Sequence, residues 1–370
     1  VPDDCWYSVE IQSVTAKISG EKSPIFTAQV HSTYPYRGVS TVPLKVVMMG
    51  TGTFAIPAFQ ALINSEHRVL GLYTQPDRTG RGHHRHKNPM KELAIEQDIP
   101  VFQPAKINTH EALEELENLN ADVLLVAAYG QILSQELLDL PKQGTFNLHA
   151  SLLPQYRGAA PILYAIRNGE SKTGVTLFRI ERSLDSGPVA AMVETPIKPK
   201  ETTGELQDRL AALAAPLAMQ ALTDIEQGTL VETPQDHTVA TFAPTLDKQV
   251  GAIDWNQSSF QIECHVRAMQ PWPSPFSFLN QANQEPLRVQ ILDVETVTAE
   301  DLESLDLDEG ILNSSPGTVI FANTKRAAIR TGDGALELIR VQPQGKRAMQ
   351  ISEFLCGRKT TAGDNFSKSP

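Results

Sequence analysis

From Leu44 onward the chain alternates short apolar runs with amphipathic stretches, the rhythm of strands and helices taken in turn. LKVVMM at 44–49, RVLGLYT at 68–74, ADVLLVAA at 121–128 and TFNLH at 145–149 read as strands. Helices are expected from about Ala55 to Asn64 and after Asn88-Pro89, a capping residue followed by proline at the first helical position. ADVLLVAA is apolar on both faces, as a strand covered by helices above and below must be, so these elements predict a doubly wound parallel sheet. TGVTLFRI at 173–180 and PVAAMVE at 188–194 continue the strand pattern, and the Ala- and Leu-rich segment from Thr203 to about Gln227 predicts a long closing helix. Residues 1–43 hold no sustained period and are set apart as an extension of unassigned role, an appended segment or a small β addition.

The first domain is therefore placed at 44–231. Residues 232–247 lie in a Thr-, Pro- and Asp-rich stretch without a period and read as a linker. A helix near 258–269, the Pro- and aromatic-rich QPWPSPFSFL, and strands near 287–294, 316–321, 326–330 and 335–341 predict a small β-barrel over 248–360, with 361–370 as a tail. The acidic TAEDLESLDLDEG at 298–310 reads as a solvated insertion rather than a set of catalytic carboxylates, and Trp255 and Trp272 are expected in the core.

A chain of 370 residues, 41% hydrophobic and 20% charged, has the length and composition of two globular domains. No apolar run approaches the roughly 18 residues of a membrane span, and the first thirty residues lack a secretory pattern. Cys5, Cys264 and Cys356 are far apart and form no C-x-x-C, which argues against a disulfide framework or a zinc site and for a reducing cytoplasm. A net charge of −11 opposes indiscriminate nucleic-acid binding. One loop reverses the sign locally: DRTGRGHHRHKNPMK gathers Arg78, Arg81, Arg85, Lys87 and Lys91 with three histidines. Solvated charge is the ordinary reading of such a run; its glycines and its place beyond a strand's carboxyl end favour phosphate contact.

Side chains two apart on a strand share a face, so Asn147 and His149 project together at the end of TFNLH. Either alone would read as a packed, satisfied polar residue. Together at a strand's carboxyl end, an amide donor and an imidazole suit stabilisation of an oxyanion with proton movement, the chemistry of acyl transfer. No Gly-x-Ser-x-Gly elbow supplies a serine nucleophile. Asp185 in SLDSGPV is by itself a turn residue; brought to His149, its carboxylate would fix the imidazole tautomer and favour the cation. Tyr156 and Arg157 read equally as packing or as substrate contacts.

NLHASLLPQYRGAAP at 147–161 followed by SLDSGPV at 183–189 resembles the signature of folate-dependent formyltransferases, and the likeness runs from about Leu44 to Arg358. KVVMMGTGTFAIPAF, YTQPDR, PVFQPAKI, DVLLVAAYGQILS, AIDW, AMQPWPSPF and TGDGALELIRVQPQGKRAM carry it further. The resemblance implies a Rossmann-like formyltransferase domain followed by an OB-like C-terminal domain used for tRNA. It makes Asn147, His149 and Asp185 a catalytic trio and Ser151, Leu152, Leu153 and Pro154 a folate-contacting segment. 10-Formyltetrahydrofolate would be a co-substrate, with no permanently bound cofactor and no metal. The likeness is closest to members that formylate initiator methionyl-tRNA. It implies that tRNA as partner, gripped through Arg78, Arg81, Arg85 and Lys87, with Lys346 and Arg347 among the basic residues of the second domain. No protein partner is implied, and a monomer is expected. The basic loop departs from the family pattern, having His83, His84 and His86 where lysines are common.

Two other readings are weighed. An amino-sugar nucleotide formyltransferase would use the same trio and donor. A nicotinamide-dependent oxidoreductase rests on GTGTFA at 50–55, which serves equally as a tight strand-to-helix turn.

Overall fold

The computed structural model describes residues 9–18, 21–30, 42–77, 88–304 and 309–370. They fall into two compact units: one of residues up to Pro161 with Lys172–Pro196 and Gln207–Ala243, the other of Ile162–Ser171, Ile197–Leu206 and Pro244–Pro370. Strands β1 (Val9–Ile18) and β2 (Glu21–Val30) form an antiparallel hairpin in the extension, pairing Val9 with Val30 and Ile18 with Glu21. The sequence hides it because the apolar positions change phase after Ser13, from Val9 and Ile11 to Val14, Ala16 and Ile18.

The first unit is built on a seven-stranded sheet of β3 (Lys45–Gly50), β4 (Arg68–Tyr73), β5 (Val101–Phe102), β6 (Val123–Ala127), β7 (Gly144–His149), β8 (Lys172–Arg179) and β9 (Val189–Pro196), in the order β5-β4-β3-β6-β7-β8-β9. Strands β3 to β7 run parallel as expected, and β8 and β9, the two further strands whose direction the sequence pattern left open, are antiparallel, so the sheet as a whole is mixed. Residues 173–178 of β8 are buried as fully as a parallel strand's; burial on both faces is what the sequence reports, and direction is not. Helices α1 (Ile56–Ile63), α2 (Pro89–Glu96), α3 (His110–Asn118), α4 (Gln135–Leu138) and α5 (Pro161–Arg167) follow the strands, and α6 (Thr203–Gln227) is the long helix expected. Their starts follow local chemistry: Asn88, Thr109 and Ser134 each accept from a backbone N–H of the first turn, satisfying a donor that the helix leaves open. Gly50 sits where β3 passes β6 so closely that a Cβ would lie 2.9 Å from the carbonyl of Ala127, which explains the first glycine of GTGTFA by packing.

The second unit contains α7 (Ser259–Ala268), β10 (Phe276–Asn280), β11 (Leu287–Thr296), α8 (Ala299–Ser304), α9 (Glu309–Leu312), β12 (Val319–Ala322), β13 (Ala327–Arg330), β14 (Ala335–Pro343), β15 (Met349–Gln350), α10 (Ile351–Gly357) and β16 (Asn365–Ser367). The strand order β12-β13-β14-β11-β10-β16 is a path whose two ends meet: Thr318 bridges Asn365, and Phe366 donates its N–H to the carbonyl of Gly317 at 2.7 Å. The 361–370 tail is thus corrected to the closing seam of the barrel, too short in Asn-Phe-Ser to show an alternation. The acidic insertion is also more than solvated surface, because Leu302 and Ile311 pack against the cluster of Val297, Ile320, Ala328 and Ala335. Trp255 is buried as expected and donates to Ser277 Oγ at 3.0 Å, but Trp272 is 52% exposed and leaves the core set.

Phe366 is buried in the barrel core beside Trp255, with ring centroids 6.0 Å apart. Phe366→Ala is expected to lower the unfolding free energy by about 3–5 kcal/mol in denaturant titrations followed by tryptophan fluorescence. A free tail would leave the midpoint unchanged.

Candidate active site at the end of strand β7

Asn147 and His149 stand on one face at the carboxyl end of β7, opposite Phe178 and Thr176 of β8. His149 is buried and Asn147 half-buried. The carboxamide of Asn147 takes no part in any side-chain hydrogen bond with the described residues. His149 Nε2 lies 2.9 Å from the carbonyl oxygen of Tyr156, which can only accept. The contact therefore places a proton on Nε2 and, in the neutral ring, a lone pair on Nδ1. Nδ1 faces Asp185 Oδ2 at 3.7 Å, too long for a hydrogen bond. The tautomer expected from Asp185 is thus set by the Tyr156 carbonyl, and the carboxylate acts on the ring through space.

Burial holds the His149 imidazole below the ordinary histidine range, opposed in part by the Asp185 charge and the Tyr156 carbonyl. At neutral pH the ring is uncharged. The unfolded chain, with an ordinary histidine near pKa 6.5, takes up the proton first as pH falls. This residue's contribution to stability is therefore full above about pH 6.5 and is lost as pH drops toward the folded value.

Asp185 and Tyr156 both hold left-handed backbone, with φ of 47° and 59°. Such conformations are costly for residues with a Cβ and persist where neighbours impose them. Gly158 donates its N–H to Asp185 Oδ2 at 2.7 Å. Gly158 itself has φ of 119°, and a Cβ there would meet the carbonyl oxygen of Ala243 at 2.7 Å.

Much of the predicted linker proves to be part of the site's frame. Thr233 exchanges two backbone hydrogen bonds with Val189, each 2.8 Å. Glu232 pairs with Arg179. Thr241 accepts the N–H of Arg157 on its carbonyl at 2.9 Å and that of Tyr156 on its hydroxyl at 2.8 Å. Gln235 donates from Nε2 to the carbonyls of Asp185 and Gly187 at 2.9 and 2.7 Å. Sequence reasoning missed Gln235, Thr241 and Gly158. The one signal on offer was Arg157, a lone cation in the small-residue stretch RGAAP, now seen to be buried.

Of the predicted folate segment, Ser151 is buried, with its hydroxyl donated to the carbonyl of Gln155 at 2.6 Å. Leu153 is buried too, its N–H bound to Thr176 Oγ1 at 3.1 Å. Leu152 and Pro154 are half-buried and present surface. Arg78, Arg81, Arg85 and Lys87 lie outside the described residues. At the base of their loop, Lys91 pairs with Asp77 at 2.6 Å and donates to Gln103 at 2.8 Å, while Asn88 donates to Thr74 Oγ1 at 2.9 Å. In the second unit Lys346 is exposed beside Arg347, which pairs with Glu353 at 2.7 Å. Arg326 is likewise paired with Glu337. Among the described residues no group of three or more His, Cys, Asp or Glu side chains is gathered as for a metal ion.

Residues 44–222 match the formyl transferase family and residues 245–359 the formyl transferase C-terminal domain, so the chain belongs to the formyl transferase family. Among its relatives, the methionyl-tRNA formyltransferase of Hydrogenovibrio crunogenus is 40% identical over 87% of this chain and 98% of the relative. The methionyl-tRNA formyltransferase of Pseudomonas fluorescens strain SBW25 is 42% identical over 86% and 95%. Among solved structures, a sugar 3N-formyl transferase, WlaRD, superposes with a TM-score of 0.57 at 18% identity over 82% of this chain and 99% of its own, a likeness of fold alone.

Gly158→Ala is expected to lower stability by about 1–3 kcal/mol, from the φ and the approach to Ala243 together. Urea titration measures it, and an unchanged midpoint would show that the backbone relaxes freely there.

Proposed function

We propose that this chain is a methionyl-tRNA formyltransferase, moving the formyl group of 10-formyltetrahydrofolate to the α-amino group of methionine esterified to initiator tRNA. The enzyme class rests on the relatives, about 40% identical across most of the chain. The observation that carries the chemistry is His149, whose Nδ1 is left as an acceptor facing Asp185, on the strand face that His149 shares with Asn147. The folate is read as a co-substrate with no permanently bound cofactor, and the enzyme as a cytoplasmic monomer. No described helix is long and apolar enough to cross a membrane.

The amine nitrogen forms a bond to the formyl carbon, and the carbonyl electron pair moves to oxygen. Asn147 donates an N–H to the resulting oxyanion. His149 takes the proton leaving the amine at Nδ1, directly or through one water, and Asp185 stabilises the imidazolium so formed. Once charged, His149 can also donate from Nδ1 toward the oxyanion. Collapse breaks the bond from the formyl carbon to N10, and His149 returns its proton to N10. The products are formylmethionyl-tRNA and tetrahydrofolate. Leu152 and Pro154 are assigned to the folate side; Arg78, Arg81, Arg85, Lys87 and Lys346 are assigned to tRNA phosphates. Arg347 is assigned there too, once released from Glu353.

The test is formyl incorporation from 10-formyltetrahydrofolate into charged initiator tRNA, with an amino-sugar nucleotide as the rival acceptor. Transfer to the sugar alone would reject the assignment. Asn147→Ala is expected to lower kcat by about 10²-fold or more with folate affinity retained, since an oxyanion donor acts in the transition state. Near-normal turnover would remove it from the mechanism. Asp185→Asn lowers kcat and moves the acid limb of the pH-rate profile further down, because the charge that favours the His149 cation is gone. An unmoved limb would separate Asp185 from His149. Arg81→Ala should raise the KM for tRNA and flatten the slope of log K against log salt by about 0.7–0.9. Equal slopes for mutant and wild type would return the loop to solvated surface.

A further inference from the structure

Arg157 is a buried guanidinium that finds no carboxylate within ion-pair distance among the described residues. Its Nε and Nη2 donate to a single oxygen, Gln235 Oε1, at 3.2 and 2.6 Å, and Nη2 also reaches His237 Nδ1 at 2.9 Å. A buried cation is normally matched by a charge, so one held by a carboxamide and an imidazole nitrogen calls for a reason. Gln235 provides it. With its oxygen fixed by Arg157, its Nε2 can point only the other way, to the carbonyls of Asp185 and Gly187. Arginine has no acceptor and those carbonyls have no donor, so the group joining them must both accept and donate, and a carboxamide does so with one oxygen and an N–H for each of the two carbonyls.

We propose that Gln235, oriented by Arg157, is a positioning residue for the reaction: the pair forms a strut that keeps the left-handed Asp185 turn in the conformation that presents its carboxylate to His149 Nδ1. Gln235 bonds the Asp185 backbone and not the side chains of Asn147, His149 or Asp185, so it acts through the turn. It complements the bond from Gly158 N–H to Asp185 Oδ2, which fixes the carboxylate but not the backbone beneath it. A carboxylate in place of the amide would satisfy Arg157 better, as an ion pair, yet would offer nothing to the two carbonyls. An amide at this position therefore favours the turn over the cation, the choice expected if the turn matters more.

The inference rests on Asn147, His149 and Asp185 being the catalytic trio, and the experiment separates the two. Gln235→Glu keeps the acceptors for Arg157 and removes the donors to Asp185 and Gly187. Its thermal midpoint should stay near wild type, while kcat falls by about tenfold or more and the KM values for folate and tRNA move less than about twofold. In the Asp185→Asn background the same substitution should have no further effect on kcat, because Gln235 acts through that carboxylate. Wild-type kcat in Gln235→Glu overturns the strut, and so do effects that multiply in the double variant, which would mark an independent structural role. A wild-type rate in Asp185→Asn instead overturns the trio itself. Should Gln235→Glu not fold, Arg157→Met with Gln235→Leu replaces both partners by apolar groups of similar shape and is read in the same cycle with the same two outcomes.

Discussion

The carbonyl of Tyr156 accepts the Nε2 proton of His149, and two residues on the N–H of Gly158 donates to the carboxylate of Asp185. One tripeptide thus sets both the protonation pattern of the imidazole and the seat of its charged neighbour. Neither β7 nor the β8 to β9 turn fixes this relation by itself. It exists because residues 156–158 run in a path that demands φ above zero at Tyr156 and at Gly158, and because Thr241 and Ala243 hold that path from the other side. Displacing the tripeptide would leave His149 without its tautomer lock and Asp185 without its anchor.

The electrostatics follow from this placement. Removing His149 from water disfavours its cation, and a carboxylate at 3.7 Å restores part of what is lost. A closer, hydrogen-bonded carboxylate would favour a standing imidazolium, which could not accept a proton. The observed spacing leaves Nδ1 with its lone pair in the neutral ring and sets a carboxylate beside it, the arrangement that the proposed proton transfer calls for.

Residues whose role is periodic were legible from sequence. Asn147 and His149 fell on one face because strand geometry allows no alternative, and Asn88-Pro89 marked a helix start because the cap and its proline satisfy local requirements. Residues whose role is to meet something distant were not. Gln235 and Thr241 lie in a stretch without period, where no local pattern reports that two backbone loops wait for an amide and a hydroxyl. Asn365–Ser367 is three residues long, below the length at which alternation can be seen, yet it closes a barrel. The direction of β8 was invisible for a different reason, since burial of both faces looks the same whichever way the strand runs. Trp272 misled because an aromatic residue among prolines has the composition of a core and none of its periodicity.

The frame of the site also has a consequence for the order in which the protein acquires activity. The bonds from Arg157 to Gln235 and from Tyr156 to Thr241 join residues 78 and 85 positions apart. Closing so long a loop costs entropy before any contact compensates it, and topologies rich in distant contacts assemble slowly. The parallel strands β3 to β7 can pair while the chain beyond α6 is still unplaced, producing a compact body with Asn147 and His149 aligned but with the Asp185 turn unsupported. The bonds that brace the turn form only when residues 233–243 dock. A refolding chain is therefore expected to regain its sheet before the Asp185 turn is braced, the later step being the docking of a segment that holds none of Asn147, His149 and Asp185.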